Sequence, residues 1–246
     1  AYRTPIVTHL GMVTNAPIYC IAKGPMSRIL LIGAAGQLGR ELVHTLAGLG
    51  DILAITRQNL DLAYPRAICH TIEQTLPDVV VNAAAYTAVD RAESEPELAH
   101  QINTVAPQVM AEVTQKIGAL LVHISTDYVF DGKTYRPYRE TDHPNPLGVY
   151  GATKWAGEQA VRQISQRHII LRTAWVYGSY GKGNFVKTML RLATDREELR
   201  VVADQIGTPT WAFDMAQAVA TMLEQWALPT GAPILQETFH FTNSGV

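Results

Sequence analysis

A glycine-rich turn between a short apolar run and a helical pattern constrains this chain more than any other feature. Residues 28–32 are Arg-Ile-Leu-Leu-Ile, without polar alternation, which is typical of a strand buried on both faces of a parallel sheet. Gly33, Gly36 and Gly39 follow, and the helical pattern begins at Gly36. In such a turn the first glycine permits the tight bend, the second lets a pyrophosphate approach the backbone, and the third allows close helix packing. The pattern predicts a dinucleotide-binding turn, and the alternative is a glycine-rich turn that serves packing alone.

The same alternation of strand and helix continues along the chain. Further apolar runs predict strands at residues 52–55, 78–82, 120–124 and 168–171, and helical patterns occupy residues 36–49, 67–76, 95–117 and 148–166. This repetition predicts an α/β fold with a doubly wound parallel sheet of the Rossmann type. After residue 172 the rhythm loosens, and we expect a helix that ends near residue 192, a strand at 199–203, a helix at 211–226 and a strand at 239–241.

These patterns predict three segments. Residues 1–25 lack periodicity and contain scattered proline and glycine, so we expect an appended leader, with an interaction arm as the alternative. Residues 26–172 form the predicted NAD(P)-binding domain. Residues 173–246 form a smaller substrate-binding lobe whose late elements are interleaved with the sheet, and the chain stops so soon after its last strand that we expect a truncated C-terminus.

Composition narrows the range of partners. The chain has 246 residues, 47% of them hydrophobic, and its net charge is only −2 with both signs scattered, which gives no footprint for nucleic acid or an anionic membrane. Its two cysteines, Cys20 and Cys69, are far apart and indicate neither a disulfide framework nor a zinc site. No apolar run approaches the roughly 20 residues of a membrane span, and no signal-peptide core is present, so we expect a cytoplasmic protein that binds a small molecule.

A tyrosine and a lysine four residues apart form the candidate catalytic pair. Tyr150 and Lys154 lie within the helical pattern 148–166, so their side chains share one helix face. A neighbouring cation favours the phenolate, and we therefore expect Lys154 to lower the pKa of Tyr150 below its usual value of about 10. Tyr150 would then be a proton donor near neutral pH. The alternative is a surface pair with no function.

The fourth predicted strand ends in two hydroxyl residues, Ser125 and Thr126. Because side chains alternate across a strand, these two should point in opposite directions, and only one of them should reach a substrate carbonyl.

The second predicted strand indicates which cofactor the turn would bind. NAD requires a carboxylate at its end for the ribose 2′-hydroxyl, whereas this strand is followed by Arg57. A guanidinium can bind a 2′-phosphate, so the sequence favours NADPH and leaves NADH open; an ordinary exposed arginine is the alternative. The predicted cofactor contacts come from the glycine turn, the loops after the second and third strands, and the catalytic pair: Gly33, Gly36, Gln37, Leu38, Gly39, Arg57, Asp61, Leu62, Ala84, Ala85, Thr87, Tyr150 and Lys154.

Together with the glycine turn and the Tyr-Lys pair, four segments carry a family resemblance. They are Asn-Ala-Ala-Ala-Tyr-Thr-Ala-Val-Asp-Arg-Ala-Glu at 82–93, Ser-Thr-Asp-Tyr-Val-Phe-Asp-Gly at 125–132, Arg-Thr-Ala-Trp-Val-Tyr-Gly at 172–178 and Asp-Gln-Ile-Gly-Thr-Pro-Thr at 204–210. From about residue 27 to its end, the chain resembles the extended short-chain dehydrogenase/reductase family, and within it the reductases of dTDP-linked 4-keto sugars. The resemblance implies reduction of the C4 ketone of dTDP-4-dehydro-L-rhamnose to dTDP-L-rhamnose.

The resemblance also implies roles for single residues. Thr126 would hold the C4 carbonyl, Tyr150 would donate its proton, and Lys154 would bind the nicotinamide ribose and acidify Tyr150. The sugar site would be lined by Asp127, Tyr128 and Trp175.

A homodimer is a further implication of the resemblance, with a magnesium ion held by glutamates at the contact. Glu41 and either Glu197 or Glu198 would be its ligands, and solvated helix carboxylates are the alternative that we prefer.

Two rival functions remain open. A nucleotide-sugar epimerase or dehydratase shares the fold, but a dehydratase would have glutamate where Tyr128 stands. The regulatory subunit of methionine adenosyltransferase resembles the chain through residues 125–132 and the Tyr-Lys pair, but Trp175 and residues 204–210 favour the reductase.

Overall fold

The molecule is built around a six-stranded parallel sheet. The computed structural model describes residues 27–181, 183–227 and 236–244. The strands are β1 Ser27–Ile32, β2 Gly50–Ile55, β3 Val79–Asn82, β4 Leu120–Thr126, β5 His168–Thr173, β6 Val176–Tyr177, β7 Thr210–Trp211 and β8 Glu237–His240. Six of them pair in the order β2-β1-β3-β4-β5-β8, and β6 pairs in parallel with β7 in a separate small sheet. The predicted doubly wound parallel fold is confirmed.

Helices cover both faces of the large sheet. They are α1 Gln37–Thr45, α2 Pro65–Thr75, α3 Val89–Ala92, α4 Pro96–His100, α5 Ala106–Ile117, α6 Val149–Ile164, α7 Phe185–Asp195 and α8 Ala212–Ala227. Both faces of β1 pack against helices. Ile29 and Leu31 pack beneath α1 and α8, and Leu30 and Ile32 pack on the opposite face beneath α2 and α5. Burial on both faces is the reason that this strand shows no polar alternation.

Strand order places one crevice at the carboxyl edge of the sheet. The chain leaves β1 toward β2 on one side, and β3 lies on the other side of β1. Ligands of open α/β sheets bind where the strand order reverses in this way. The glycine turn after β1, the alanine segment after β3 and Thr126 at the end of β4 all lie at this edge.

Two sequence-based elements differ from the structure. The predicted helix 95–117 consists of α4, a π turn at Gln101–Val105 and α5. The predicted strand at 199–203 is wrong, because these residues form no strand, and Val201 and Val202 are 51% and 66% exposed. Apolar β-branched residues form a strand only where another strand pairs with them.

Residues after 172 contribute both to the large sheet with its covering helices and to the small structure outside that sheet. β8 pairs with β5 in the large sheet and α8 packs on α1, whereas β6, β7 and α7 lie outside that sheet. The division at residue 172 stays a prediction. The leader 1–25 and Cys20 lie outside the described residues, and Cys69 is a half-buried free thiol. Within the described ranges, no helix has the length and apolar character needed to cross a bilayer.

Candidate active site

The glycine turn forms a cradle that has no room for side chains. Gly33 has φ +91°, and a methyl group on it would lie 2.8 Å from the Ala84 amide nitrogen. A methyl group on Gly39 would lie only 2.0 Å from the Gly33 carbonyl oxygen, so α1 can start this close to the turn only with glycine. No side chain caps α1, and its first turn contains no acidic residue. Neither its N-cap nor its first turn therefore places a carboxylate at the positive N-terminus, which fits the pyrophosphate of a dinucleotide.

The end of β2 lies directly beside this turn. The Ile55 carbonyl accepts hydrogen bonds from Gly33 and Ala34 at 2.9 and 3.0 Å. The Arg57 side chain, two residues further on, is 77% exposed and lies 3.5 Å from the Asp61 carboxylate, which also accepts the Ala63 amide at 3.0 Å. Such an exposed pair is weak, so the guanidinium is available to a phosphate at the adenosine end of a dinucleotide.

The remaining predicted cofactor contacts differ in accessibility. Leu38 and Leu62 are 8% and 6% exposed and pack in the two cores, so only their backbones could face a cofactor. Ala84 and Ala85 are half-buried, and Thr87 is exposed.

Gln37 has a role that the sequence did not indicate. Its amide donates to the Val176 carbonyl at 2.8 Å and accepts from the Asn184 side chain at 2.6 Å. The side chain thereby ties the glycine turn to β6 and to the start of α7. A cofactor contact from Gln37 would therefore come from its backbone.

The candidate catalytic pair lies in the first two turns of α6. Tyr150 is 9% exposed and Lys154 is 2% exposed, so the predicted helix and its i, i+4 spacing are present and the pair is not a surface pair. The Lys154 ammonium donates to the Ile124 carbonyl at 2.7 Å. Burial lowers the pKa of Lys154 to about 8, although the charge of Glu158 opposes this shift.

The expected acidification of Tyr150 by Lys154 is wrong in this structure. Burial raises the pKa of Tyr150 to about 12; the neighbouring Thr126 hydroxyl opposes the shift, and the charge of Asp127 adds to it. Lys154 does not contribute, because its ammonium hydrogen-bonds to the backbone of β4. Tyr150 therefore keeps its proton throughout the neutral range.

Thr126 lies at the centre of the polar contacts. Its hydroxyl donates to the Asp127 carboxylate at 3.0 Å and accepts the Tyr128 amide at 3.3 Å, and, against the effect of burial, its proximity lowers the pKa of the Tyr150 phenol. The preceding hydroxyl, on Ser125, donates instead to Glu158 at 2.6 Å. The two hydroxyls thus have separate partners, and the opposite directions expected from strand alternation stay a prediction. Burial raises the pKa of Asp127 to about 6, against the hydrogen bond from Thr126.

Two aromatic residues predicted at the sugar site have different surroundings. The Tyr128 ring packs edge-on against Tyr150, with ring centroids 5.4 Å apart, and is 41% exposed. Trp175 is 44% exposed and has φ +47°. Its indole covers Gly207, where a methyl group would lie 3.0 Å away, and its carbonyl accepts the Thr210 amide at 3.2 Å. The structure therefore brings segments 172–178 and 204–210 into contact. They are two of the four segments that carry the family resemblance.

A glutamate that follows α3 caps the N-terminus of α6. The Glu93 carboxylate accepts the Val149 amide at 2.8 Å, and a methyl group on Gly148 would lie 2.8 Å from the same oxygen. Glu93 was part of the segment 82–93 but had no predicted role. A carboxylate at this position stabilises the helix that carries Tyr150.

A cavity of about 280 Å³ lies beside β6 and α7. The Lys187 ammonium at its wall donates to the Ser179 carbonyl at 2.8 Å, and within the described ranges it forms no ion pair. No local sequence pattern indicates this cavity. It is lined by Tyr177, Gly178, Ser179, Asn184, Val186, Lys187 and Trp211.

The glutamates considered for magnesium do not come together as a site. Glu41 is 8% exposed in α1, whereas Glu197 and Glu198 are exposed beyond α7, and Glu198 pairs with Arg200 at 3.0 Å. Among the residues that the structure describes, no group of three or more His, Cys, Asp or Glu side chains could hold a metal. These residues do not fit a magnesium site within one chain.

Comparison with known proteins agrees with this arrangement. The family model of the RmlD substrate binding domain matches residues 26–246. The dTDP-4-dehydrorhamnose reductase of Burkholderia thailandensis is 46% identical over 222 residues, which cover 89% of this chain and 73% of that protein. The Escherichia coli enzyme of the same name is 45% identical over 222 residues, covering 88% of this chain and 73% of its own length.

A solved structure extends the likeness to the fold. The dTDP-4-dehydrorhamnose reductase of Bacillus anthracis, in complex with NADP, superposes with a TM-score of 0.82 at 40% identity, covering 89% of this chain and 75% of that one. The resemblance expected from residues 82–93, 125–132, 172–178 and 204–210 is confirmed. The chain belongs to the dTDP-4-dehydrorhamnose reductase family.

Proposed function

We propose that the chain reduces the C4 ketone of dTDP-4-dehydro-L-rhamnose to the alcohol of dTDP-L-rhamnose, with NADPH as the reductant. The observation that carries this proposal is the position of the buried Tyr150 phenol, which packs against Tyr128 and lies beside the Thr126 hydroxyl at the carboxyl edge of the sheet. The hydroxyl groups of these two neighbouring side chains could both reach a single carbonyl oxygen. The names of the family relatives supply the substrate.

The glycine turn and the end of β2 would hold the cofactor. The cradle of Gly33 and Gly39 fits the pyrophosphate, and the exposed Arg57 guanidinium fits the 2′-phosphate that distinguishes NADPH from NADH. The NADP bound to the Bacillus anthracis relative agrees with this preference. Bound NADPH supplies the hydride.

The side chains of the site manage the charge that develops on the substrate oxygen. Tyr150 donates a hydrogen bond to the carbonyl oxygen as it becomes negative, and Thr126 donates a second one when its hydroxyl turns from the Asp127 carboxylate to the substrate. Tyr150 then transfers its proton to this oxygen. With its pKa raised to about 12, the phenol is fully protonated at neutral pH, yet an alkoxide is a stronger base still, so the transfer is favourable.

Lys154 would bind the nicotinamide ribose and contribute positive charge near the reaction. With its pKa lowered to about 8, it is charged at neutral pH and loses that charge as the pH rises through 8. Asp127, Tyr128 and Trp175 would line the sugar. The cavity beside β6 would accept the anionic nucleotide part. Asn184 in its wall hydrogen-bonds to Gln37 of α1, and Lys187 in the same wall contributes a positive charge.

Consumption of NADPH with the keto sugar tests this function. Wild-type chain should oxidise one NADPH for each sugar reduced. Tyr150→Phe should lower kcat by about 10²- to 10⁴-fold, the usual contribution of a general acid, with little change in the affinity for NADPH. Tyr64→Phe is the matched control, because Tyr64 is 65% exposed on the surface, and its kcat should equal that of the wild type.

Other outcomes identify the rivals. Conversion of a nucleotide sugar without consumption of added NADPH would indicate a redox-neutral epimerase or dehydratase. Unchanged kcat in Tyr150→Phe would remove the assigned proton donor. Capture of a methionine adenosyltransferase catalytic subunit, without NADPH oxidation, would indicate a regulatory protein.

A further inference from the structure

Three consecutive residues at the end of β4 lie next to three residues of α6. The helix residues are spaced by four and therefore lie on one face of α6, over a length of about 12 Å. Ile124 hydrogen-bonds to Lys154 and Ser125 to Glu158, while Thr126 lies beside Tyr150.

Two of these pairs belong to the proposed chemistry, but the third does not. Ser125 and Glu158 are 4% and 0% exposed and have no access to a substrate. Their hydrogen bond of 2.6 Å is nevertheless short and involves a charged acceptor, the class of hydrogen bond that holds geometry most firmly. Ser125 directly precedes Thr126, and Glu158 lies one helical turn beyond Lys154.

Arginine side chains also bind the Glu158 carboxylate, and one of them, Arg172, belongs to β5. Arg172, itself 2% exposed, donates from Nε to Oε1 at 2.9 Å and from Nη2 to Oε2 at 2.7 Å. Arg162 adds a contact to Oε2 at 3.1 Å. The carboxylate cannot rotate without losing several charge-assisted hydrogen bonds, so it is a rigid anchor for Ser125.

We propose that Glu158 and Ser125 are positioning residues that fix the register of α6 against β4, so that Thr126, Tyr150 and Lys154 keep their mutual geometry. Glu158 anchors the helix to β5 through Arg172, and Ser125 transmits this anchor to the strand end that carries Thr126. The proposal rests on the proposed function, because it concerns the reaction assigned to these three residues. A displacement of reacting groups by about 1 Å can lower a rate about 10²-fold.

Ser125→Ala tests the proposal with the least damage to folding, because Glu158 keeps both arginine partners. We expect kcat to fall about tenfold, while KM for NADPH and for the sugar change less than about twofold. Ser165→Ala is the matched control: Ser165 is 2% exposed at the other end of α6, and its hydroxyl accepts the Arg167 amide at 3.3 Å. Its kcat should stay within about twofold of the wild type.

Amide hydrogen exchange gives a readout that does not depend on turnover. In Ser125→Ala, exchange of residues 149–156 should become faster, and in Ser165→Ala it should change only near the end of α6. Equal kcat and equal exchange of 149–156 in Ser125→Ala and wild type would overturn the proposal, as would the same loss of kcat in both variants. If the wild type does not oxidise NADPH, the proposed function fails, and the exchange comparison alone decides the register of α6.

Discussion

Lys154→Met should make the protein more stable while it abolishes turnover. The Lys154 ammonium is 2% exposed, and burial lowers its pKa from 10.5 to about 8. At about 1.36 kcal/mol per pKa unit, the buried charge disfavours the folded state by about 3 kcal/mol. Methionine has a similar unbranched shape and no charge. It leaves the Ile124 carbonyl without its donor, which costs about 1–2 kcal/mol, so a net stabilisation of about 1–2 kcal/mol remains.

The stability difference between Lys154→Met and the wild type depends on pH. The pKa of Lys154 in the folded state lies below its value in the unfolded state, so between pH 8 and 10.5 the folded state binds fewer protons. The wild type must therefore gain stability as the pH rises through this window, and the cost of the charge is fully present below pH 8. The advantage of Lys154→Met should be largest at neutral pH and should nearly vanish by about pH 9.5.

Calorimetric or circular-dichroism melting curves at both pH values measure the effect. A net gain of about 1–2 kcal/mol should raise Tm by roughly 2–8 °C at pH 7 for a chain of this size. Lys116→Met is the control, because Lys116 is 71% exposed and pairs with Glu73 at the surface, so its loss should not raise Tm. A lower Tm for Lys154→Met at pH 7, or a difference that does not depend on pH, would refute the reasoning.

Three further changes test the cofactor cradle and the helix cap. Gly39→Ala places a methyl group 2.0 Å from the Gly33 carbonyl and should weaken NADPH binding at least about tenfold in a fluorescence titration, whereas Gly48→Ala, with free space around it, should bind as the wild type does. Arg57→Ala should weaken NADPH about 10- to 100-fold and leave NADH almost unchanged, and an equal loss for both would remove the 2′-phosphate argument. Glu93→Gln removes the negative charge at the N-terminus of α6 and should lower the stability by about 0.5–1 kcal/mol in urea melts; an unchanged midpoint would show that the charge does not matter.

Local patterns were sufficient for much of this fold. Strands buried on both faces leave unbroken apolar runs, and Gly39 of the glycine turn is required by a contact within a few residues, with the Gly33 carbonyl. The strand wrongly predicted at 199–203 depends on contacts that are not local. A strand exists only when another strand pairs with it, and the pattern of one segment does not specify that partner. The π turn within the predicted helix 95–117 also follows from tertiary packing. It lies where Gly157 of α6 approaches so closely that a methyl group would lie 2.1 Å from the Asn103 carbonyl.

The candidate site shows the same limit. Helical spacing correctly put Tyr150 and Lys154 on one face, and Ser125 and Thr126 have different hydrogen-bond partners. Spacing could not show where the Lys154 ammonium points, because its acceptor belongs to another element of the fold, and the expected pKa of Tyr150 was therefore wrong. The four-residue spacing from Lys154 to Glu158 was visible in the sequence, but its meaning depends on contacts with β4 and β5.

Transfer of isotope from the cofactor tests the central claim most directly. Wild-type chain would be incubated with dTDP-4-dehydro-L-rhamnose and NADPH carrying two deuterium atoms at C4 of the nicotinamide, and the product would be analysed by mass spectrometry and proton NMR. The account predicts dTDP-L-rhamnose with one deuterium at C4 of the sugar for each NADPH consumed. Product without deuterium at that carbon, or conversion of the sugar without loss of NADPH, would contradict it.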